Sequence, residues 1–130
     1  MSEENDAKRS RSSPSVWDMA VMVEAYGVAL DVHKLTKTFP RDEQFELASQ
    51  LRRLSKAICA NLAEGRARQQ GSSAEFRRFV LIALGSADES LLWCRFAGDL
   101  GYVDQRTHAD LHARFSEIAR MLNGLAQKLR

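Results

Sequence analysis

The feature that most constrains the fold is a set of apolar residues near the C-terminus that recurs in steps of four and three. The set consists of Leu111, Phe115, Ile118, Leu122, Leu125 and Leu129. This spacing places all of these side chains along one side of an α-helix, as in helices that pack at about 20° to a neighbour. A helix with such a seam must bury it against other helices, so the sequence predicts an all-α fold.

Three further segments carry apolar residues at helical spacing. We predict helices over about 16–38, 41–65 and 73–98, with the fourth beginning at Asp104. Pro40 ends the first helix and Asp104 caps the fourth. Ser72 or Ser73 caps the third, and with Ser72 as the cap Glu75 has the spacing of a capping box. The predicted inward positions are Val21, Ala25, Val28, Val32 and Leu35 in the first helix; Leu47, Leu51, Leu54, Ile58 and Leu62, widened by Phe45, Ala48, Ser55 and Cys59, in the second; and Phe76, Phe79, Val80, Ala83, Ala87, Leu91 and Cys94 in the third.

Helices of this length joined by short loops predict an up-down-up-down antiparallel four-helix bundle that fills residues 16–130. Residues 1–15 are polar and contain Pro14, so we predict a disordered tail whose cations either touch phosphates or stay solvated. No apolar run approaches the roughly 18 residues of a membrane span, and the N-terminus lacks the apolar core of a signal peptide. We therefore predict a cytoplasmic protein without a membrane partner, in which Cys59 and Cys94 are reduced, buried thiols.

Positive charge is concentrated in the middle of the chain. Residues 52–78 hold seven basic and two acidic side chains, a net charge of +5 in a chain whose total is +2. Such a concentration indicates an anionic partner, and phosphate contacts would dominate because no aromatic residues alternate with the cations. Solvated or ion-paired surface cations are the alternative. The candidate nucleic-acid-binding residues are Arg52, Lys56, Arg66, Arg68, Arg77 and Arg78.

Polar residues also line one side of the second predicted helix. Gln50, Arg53, Asn61 and Glu64 fall within an arc of roughly 80° at 100° per residue. We interpret them as a structural network that fixes helix register or an oligomer contact, with a ligand-binding track as the alternative. The sequence leaves open whether Trp93 and Phe96 belong to the core or to an interface.

Motifs for catalysis and cofactor binding are not recognisable. The chain has no phosphate-binding glycine loop and no nucleophile elbow. His108 and His112 are four residues apart and could share a metal, but a zinc site needs further ligands, so we predict two surface histidines. We expect a protein that is not an enzyme, with no catalytic residue, no metal and no cofactor.

Several short motifs resemble the proteins encoded in intervening sequences of bacterial 23S rRNA. The most specific is Asn61-Leu62-Ala63-Glu64-Gly65, followed by Arg66 and Arg68. The others are Leu35-Thr36, Phe39-Pro40, Ser49-Gln50, Arg52-Arg53, Glu75-Phe76, Arg78-Phe79, Ile82-Ala83-Leu84-Gly85-Ser86 and Asp99-Leu100-Gly101-Tyr102. The resemblance extends over about residues 20–129 and is strongest in the two middle helices.

The family in turn resembles the accessory bundle proteins of diversity-generating retroelements, which form homopentameric rings and act with a reverse transcriptase and nucleic acid. The resemblance therefore implies a ring-shaped homopentamer with RNA or DNA, and a protein such as a reverse transcriptase, as further partners. Our leading hypothesis is a non-enzymatic, oligomeric bundle that binds nucleic acid, with RNA favoured, through the basic residues. The alternative is a protein-interaction scaffold whose basic residues dock an acidic partner or pair between subunits.

Overall fold

Four α-helices form the structure, a computed structural model that describes residues 15–69 and 71–130. They are α1 (Ala20–Thr36), α2 (Leu47–Arg68), α3 (Ser73–Asp99) and α4 (Gln105–Lys128), with 3₁₀ turns at Val16–Asp18 and Arg41–Glu43. The described residues contain no strand, which confirms the all-α fold class. The predicted tail lies outside the described residues, apart from Ser15.

The helices surround one core, and each packs against two others. Among the described residues, α2 contacts α1 and α3, and α4 contacts α1 and α3, whereas the diagonal pairs do not meet. Most of the predicted inward positions are buried, including Val28, Leu51, Ile58, Phe115 and Leu122. This arrangement confirms a four-helix bundle in which α1 and α3 occupy opposite corners.

The connection between α1 and α2 differs from the prediction. The second helix begins at Leu47 and not at residue 41, because a 3₁₀ turn precedes it. Phe45 lies in this irregular segment and is 92% exposed, so its predicted place in the core is wrong. Position 45 fits the apolar spacing of α2 only if the helix extends that far back, and it does not.

The turn between α2 and α3 brings the two helices close together. Ser72 caps α3 as predicted, since its hydroxyl accepts hydrogen bonds from the backbone N–H of Ala74 and Glu75 at 3.1 and 3.4 Å. The Glu75 carboxylate pairs with Arg78 and does not complete the capping box. On α2, Gly65 is buried against α3. A Cβ at this position would lie 2.7 Å from the Cβ of Phe79, so only glycine allows the observed approach.

A second close approach joins α3 to the start of α4. Asp104 caps α4 as predicted, accepting a hydrogen bond of 2.7 Å from the N–H of Thr107. The ring of His108 packs on Gly98, where a Cβ would lie 2.6 Å from the imidazole Cδ2. His108 is therefore half-buried, with a buried Nε2 atom, and the prediction of a surface histidine is wrong for it, whereas His112 is exposed.

The two aromatic residues that the sequence left undecided behave differently. Trp93 is half-buried and packs against the core. Phe96 lies one turn further along α3 and is 47% exposed. The two rings are 5.5 Å apart between centroids, so they form a continuous apolar surface from the core edge to solvent.

Candidate nucleic-acid interface

The six candidate cations occupy two separate parts of the bundle. Arg52 and Arg68 are 16 residues apart on α2, which is about 24 Å at the rise of an α-helix. Arg52 and Lys56 lie on the half of α2 that adjoins the end of α1. Arg66, Arg68, Arg77 and Arg78 lie at the turn between α2 and α3. The basic residues that are grouped along the sequence therefore form two separate surfaces.

Arg52 holds the connection between α1 and α2 together. Its Nε donates a hydrogen bond of 2.8 Å to the Thr36 hydroxyl, and its Nη2 donates to the amide oxygen of Gln44. The Gln44 amide in turn donates to the carbonyls of Thr36 and Phe39, each at 2.9 Å. These bonds satisfy carbonyl groups at the C-terminal end of α1, so the Arg52 guanidinium is used within the fold.

Lys56 lies beside a histidine. Its Nζ donates to the Nδ1 of His33 at 3.1 Å, and no carboxylate in residues 15–69 and 71–130 forms an ion pair with it. The positive charge of Lys56 lowers the pKa of His33 below its ordinary value of 6.5, and desolvation, Lys37 and Arg52 lower it further. Cations therefore accumulate at this site without a neutralising acid.

We expect that Lys56→Met raises the pKa of His33 towards 6.5, because the largest cause of its depression is removed. An NMR titration of the imidazole resonances measures this value, and Lys128→Met, at the other end of the molecule, should leave it unchanged. An unchanged pKa in Lys56→Met would contradict the conclusion that the charge of Lys56 depresses the pKa of His33.

The depressed pKa of His33 also makes stability depend on pH. In the wild type, His33 favours the folded state above pH 6.5, and this contribution is lost as the pH falls from 6.5 through the folded-state pKa.

At the other end of the bundle, two arginines share one aromatic ring. The guanidinium carbons of Arg68 and Arg78 lie 5.5 and 4.6 Å from the ring centroid of Phe79. Arg68 also pairs with Glu64 at 2.6 Å, and Arg78 with Glu75 at 3.4 Å. The pairing with Glu64 raises the pKa of Arg68 above its ordinary value. Both guanidinium groups are thereby held in place while they remain exposed.

The same end collects further cations from other helices. Arg77 donates from Nε to the carbonyl of Ala126 at 3.2 Å, which ties the start of α3 to the last turn of α4. Lys128, the last residue of α4, and Arg130, two residues further on, are exposed. We name Arg66, Arg68, Arg77, Arg78, Lys128 and Arg130 the basic end. The sequence analysis missed its last two members, although antiparallel topology places the end of α4 beside the start of α3.

The predicted polar network on α2 consists of local bonds. Arg53 donates to Gln50 at 3.2 Å, Asn61 donates to the carbonyl of Ala57 at 2.8 Å, and Glu64 pairs with Arg68. Within the described residues these bonds do not connect Gln50, Arg53, Asn61 and Glu64 into one network. Their role at an oligomer contact stays a prediction.

Other kinds of site have little support in the part of the chain that the structure describes. Its two cysteines are free; Cys94 is buried and Cys59 half-buried. Burial raises the pKa of Cys94 to about 12 and also raises the pKa of Cys59, so neither thiol is activated. The described residues hold no group of three or more potential metal ligands. None of the helices described is both long enough and apolar enough to cross a membrane.

Comparisons with known proteins agree with this fold. Among curated proteins, none matches the chain. A crystal structure of a protein with unknown function from the S23 ribosomal protein family of Bacteroides thetaiotaomicron superposes with a TM-score of 0.75; it is 23% identical, and the match covers 82% of this chain and 95% of that one. The family described as 23S rRNA-intervening sequence protein matches residues 17–124. The fold, the motifs and this match together show that the chain belongs to the 23S rRNA-intervening sequence protein family.

Proposed function

We propose that this protein is a non-enzymatic, cytoplasmic homo-oligomer that binds nucleic acid through the phosphates, with the basic end as the contact surface. The observation that supports this most is a collection of cations at one end of the bundle, five from α2, α3 and α4 together with Arg130, of which Arg68 and Arg78 pair with the exposed carboxylates of Glu64 and Glu75. The matched family is named for an rRNA intervening sequence, so RNA is the first nucleic acid to test.

The carboxylates at the basic end do not prevent phosphate binding. The side chains of the Arg68–Glu64 pair are 54% and 49% exposed, and those of the Arg78–Glu75 pair are similarly open. Exposed ion pairs of this kind contribute about 0–1 kcal/mol, so a phosphate can replace a carboxylate at small cost. The Phe79 ring keeps both guanidinium groups oriented outward, which reduces the entropy lost when they bind.

Assembly into a ring would strengthen the binding of nucleic acid by basic ends that each bind it weakly. In a closed cyclic oligomer, a rotation axis relates the subunits, and equivalent ends therefore lie on the same side of the ring. A homopentamer, as the resemblance implies, would present five basic ends along one rim. Several modest contacts to one nucleic acid then add as avidity, without any new contact in a single subunit.

A titration of fluorescently labelled single-stranded and duplex RNA across a salt series tests the proposal. We expect the logarithm of the association constant to fall linearly with the logarithm of salt concentration, with a slope of about −0.7 to −0.9 per phosphate contact. Duplex DNA of the same length, measured in parallel, shows whether RNA is preferred. Failure to bind any of these nucleic acids at low salt would rule out the proposal.

A protein-interaction scaffold is the second candidate, because Lys56 and His33 border an apolar groove between α1 and α2. An apolar groove with a basic rim suits an acidic, partly apolar protein surface, such as that of another subunit or of a partner like a reverse transcriptase. In this case nucleic acid would bind poorly, and Arg53 or Glu64 variants would have a reduced molar mass in light scattering.

A further inference from the structure

Two grooves with differently charged rims lie on different sides of the bundle; the first is largely apolar, and the second is lined by both apolar and acidic side chains. The α1 groove is lined by Tyr26, Ala29, Leu30, His33, Lys56 and Cys59 and encloses about 370 Å³. The α3 groove is lined chiefly by Glu43, Phe45, Glu46, Trp93, Phe96 and Leu100 and encloses about 380 Å³. We propose that the α1 groove of one copy of this chain receives the α3 groove surface of a second copy, so that copies assemble head to tail.

Five of the ten exposed large apolar side chains among the described residues lie on these grooves. Tyr26 and Leu30 are both 45% exposed on the α1 groove, while Phe45, Phe96 and Leu100 project from the α3 groove. Small residues, Ala29 and Cys59, form the floor of the α1 groove and leave room for an inserted ring. Large apolar groups gathered in patches on a soluble domain mark an interaction surface.

The rims identify the occupant as a second copy. The α1 groove is bordered by Lys56 and His33, with Lys37 and Arg52 close enough to influence His33. The α3 groove is bordered by Glu46, which is exposed, and by Glu43 beside the Tyr102 hydroxyl, and none of its described lining residues is a cation. Phe45 also lines a neighbouring pocket, together with Arg52, Arg53 and Lys56. Opposite charges meet only if the α1 groove faces the α3 groove, because pairing either groove with itself opposes like charges.

The positions of the grooves suit a ring. On α2, Lys56 and Cys59 face the α1 groove while Leu47 and Gln50 face the α3 groove, and these pairs project about 180° apart around the helix axis at 100° per residue. Two different surfaces on opposite sides of one subunit make a heterologous contact, which closes into a ring or continues as a filament. The α3 groove lies at the end of the bundle opposite the basic end and the α1 groove lies midway along α2, so no described residue of the basic end lines either groove.

This inference rests on the oligomer in our proposed function, and light scattering combined with size-exclusion chromatography tests it. We expect the wild type to exceed the mass of a dimer, and Phe45→Asp and Leu30→Asp each to reduce it to that of a monomer at the same concentration. Leu81→Asp, which introduces the same charge on α3 outside both grooves, should keep the wild-type mass. Circular dichroism establishes that each variant is folded, as the exposure of all three positions leads us to expect.

Mixing the two monomeric variants gives the sharper result. Each retains one intact groove surface, so a head-to-tail contact predicts that the mixture forms a dimer and grows no further. A mixture that stays monomeric, or single variants that keep the wild-type mass, would overturn the inference and leave nucleic-acid binding at the basic end untouched. A wild type that is monomeric, or that stops at a dimer, would also overturn it, and a monomer would remove the oligomer from the proposed function as well. The RNA titration reports on the basic end independently.

Discussion

Replacing both Arg68 and Arg78 with glutamate should weaken RNA binding by about 100-fold at about 0.1 M salt and reduce the salt slope by about 2 for each subunit that touches the RNA. These two guanidinium groups are exposed and face the same Phe79 ring. Each belongs to an exposed ion pair in which a phosphate can replace the carboxylate. Charge reversal removes two phosphate contacts and adds repulsion. Fluorescence anisotropy across a salt series measures both the affinity and the slope.

The matched control changes the same charge at the other end of the bundle. Arg95 near the end of α3 and Arg106 in the first turn of α4 are both exposed, and glutamate at both positions alters the net charge equally. If phosphates bind the basic end, this control variant should lose only the small amount of RNA affinity that follows from a more negative net charge. Equal losses in the two double variants would show that net charge, and not the basic end, determines affinity.

Much of the fold could be predicted because helices bury a stripe with a fixed period. The seam of α4 from Leu111 to Leu122 is buried as expected, and Ser72 and Asp104 cap the helices that follow them. Phe45 could not be placed from its spacing, because an apolar residue in phase with a helix is inward only if the helix reaches it. The 3₁₀ turn after Pro40 delays the start of α2 to Leu47. This turn has no strong sequence signal, and Pro40 alone does not show where α2 begins.

The candidate site was harder to predict than the fold. Proximity in sequence grouped Arg52 with Arg68, yet a helix of this length separates them by about 24 Å. Whether a cation is used inside the fold depends on partners such as Thr36, Gln44 and the Ala126 carbonyl, which only the packed structure brings near. Conversely, Lys128 belongs to the basic end because of the topology alone, so the predicted antiparallel arrangement is enough to place it beside the start of α3.

The motif shared with the family, Asn61–Gly65, has a physical explanation in its last residue. Gly65 lies at a close approach of α2 and α3, and an added Cβ would lie 2.7 Å from the Cβ of Phe79 and 3.0 Å from Cδ1 of Phe76. A Cβ atom cannot rotate away, because it is fixed to its backbone. The two helices must therefore separate to accept any larger residue, and Phe79, which orients both arginines of the basic end, must move with them.

Gly65→Ala is accordingly expected to destabilise the protein by about 1–3 kcal/mol, the usual cost of overpacking, despite the better helix propensity of alanine. Gly124→Ala is the matched control: nothing lies within 4 Å of a Cβ at this position in α4, so the same substitution should stabilise by up to about 1 kcal/mol. Urea denaturation at one fixed protein concentration measures both, since assembly would shift the apparent stability. The same loss in both variants would indicate that helix flexibility matters here, whereas opposite signs would show that the close packing of α2 against α3 at Gly65 does not accommodate a Cβ.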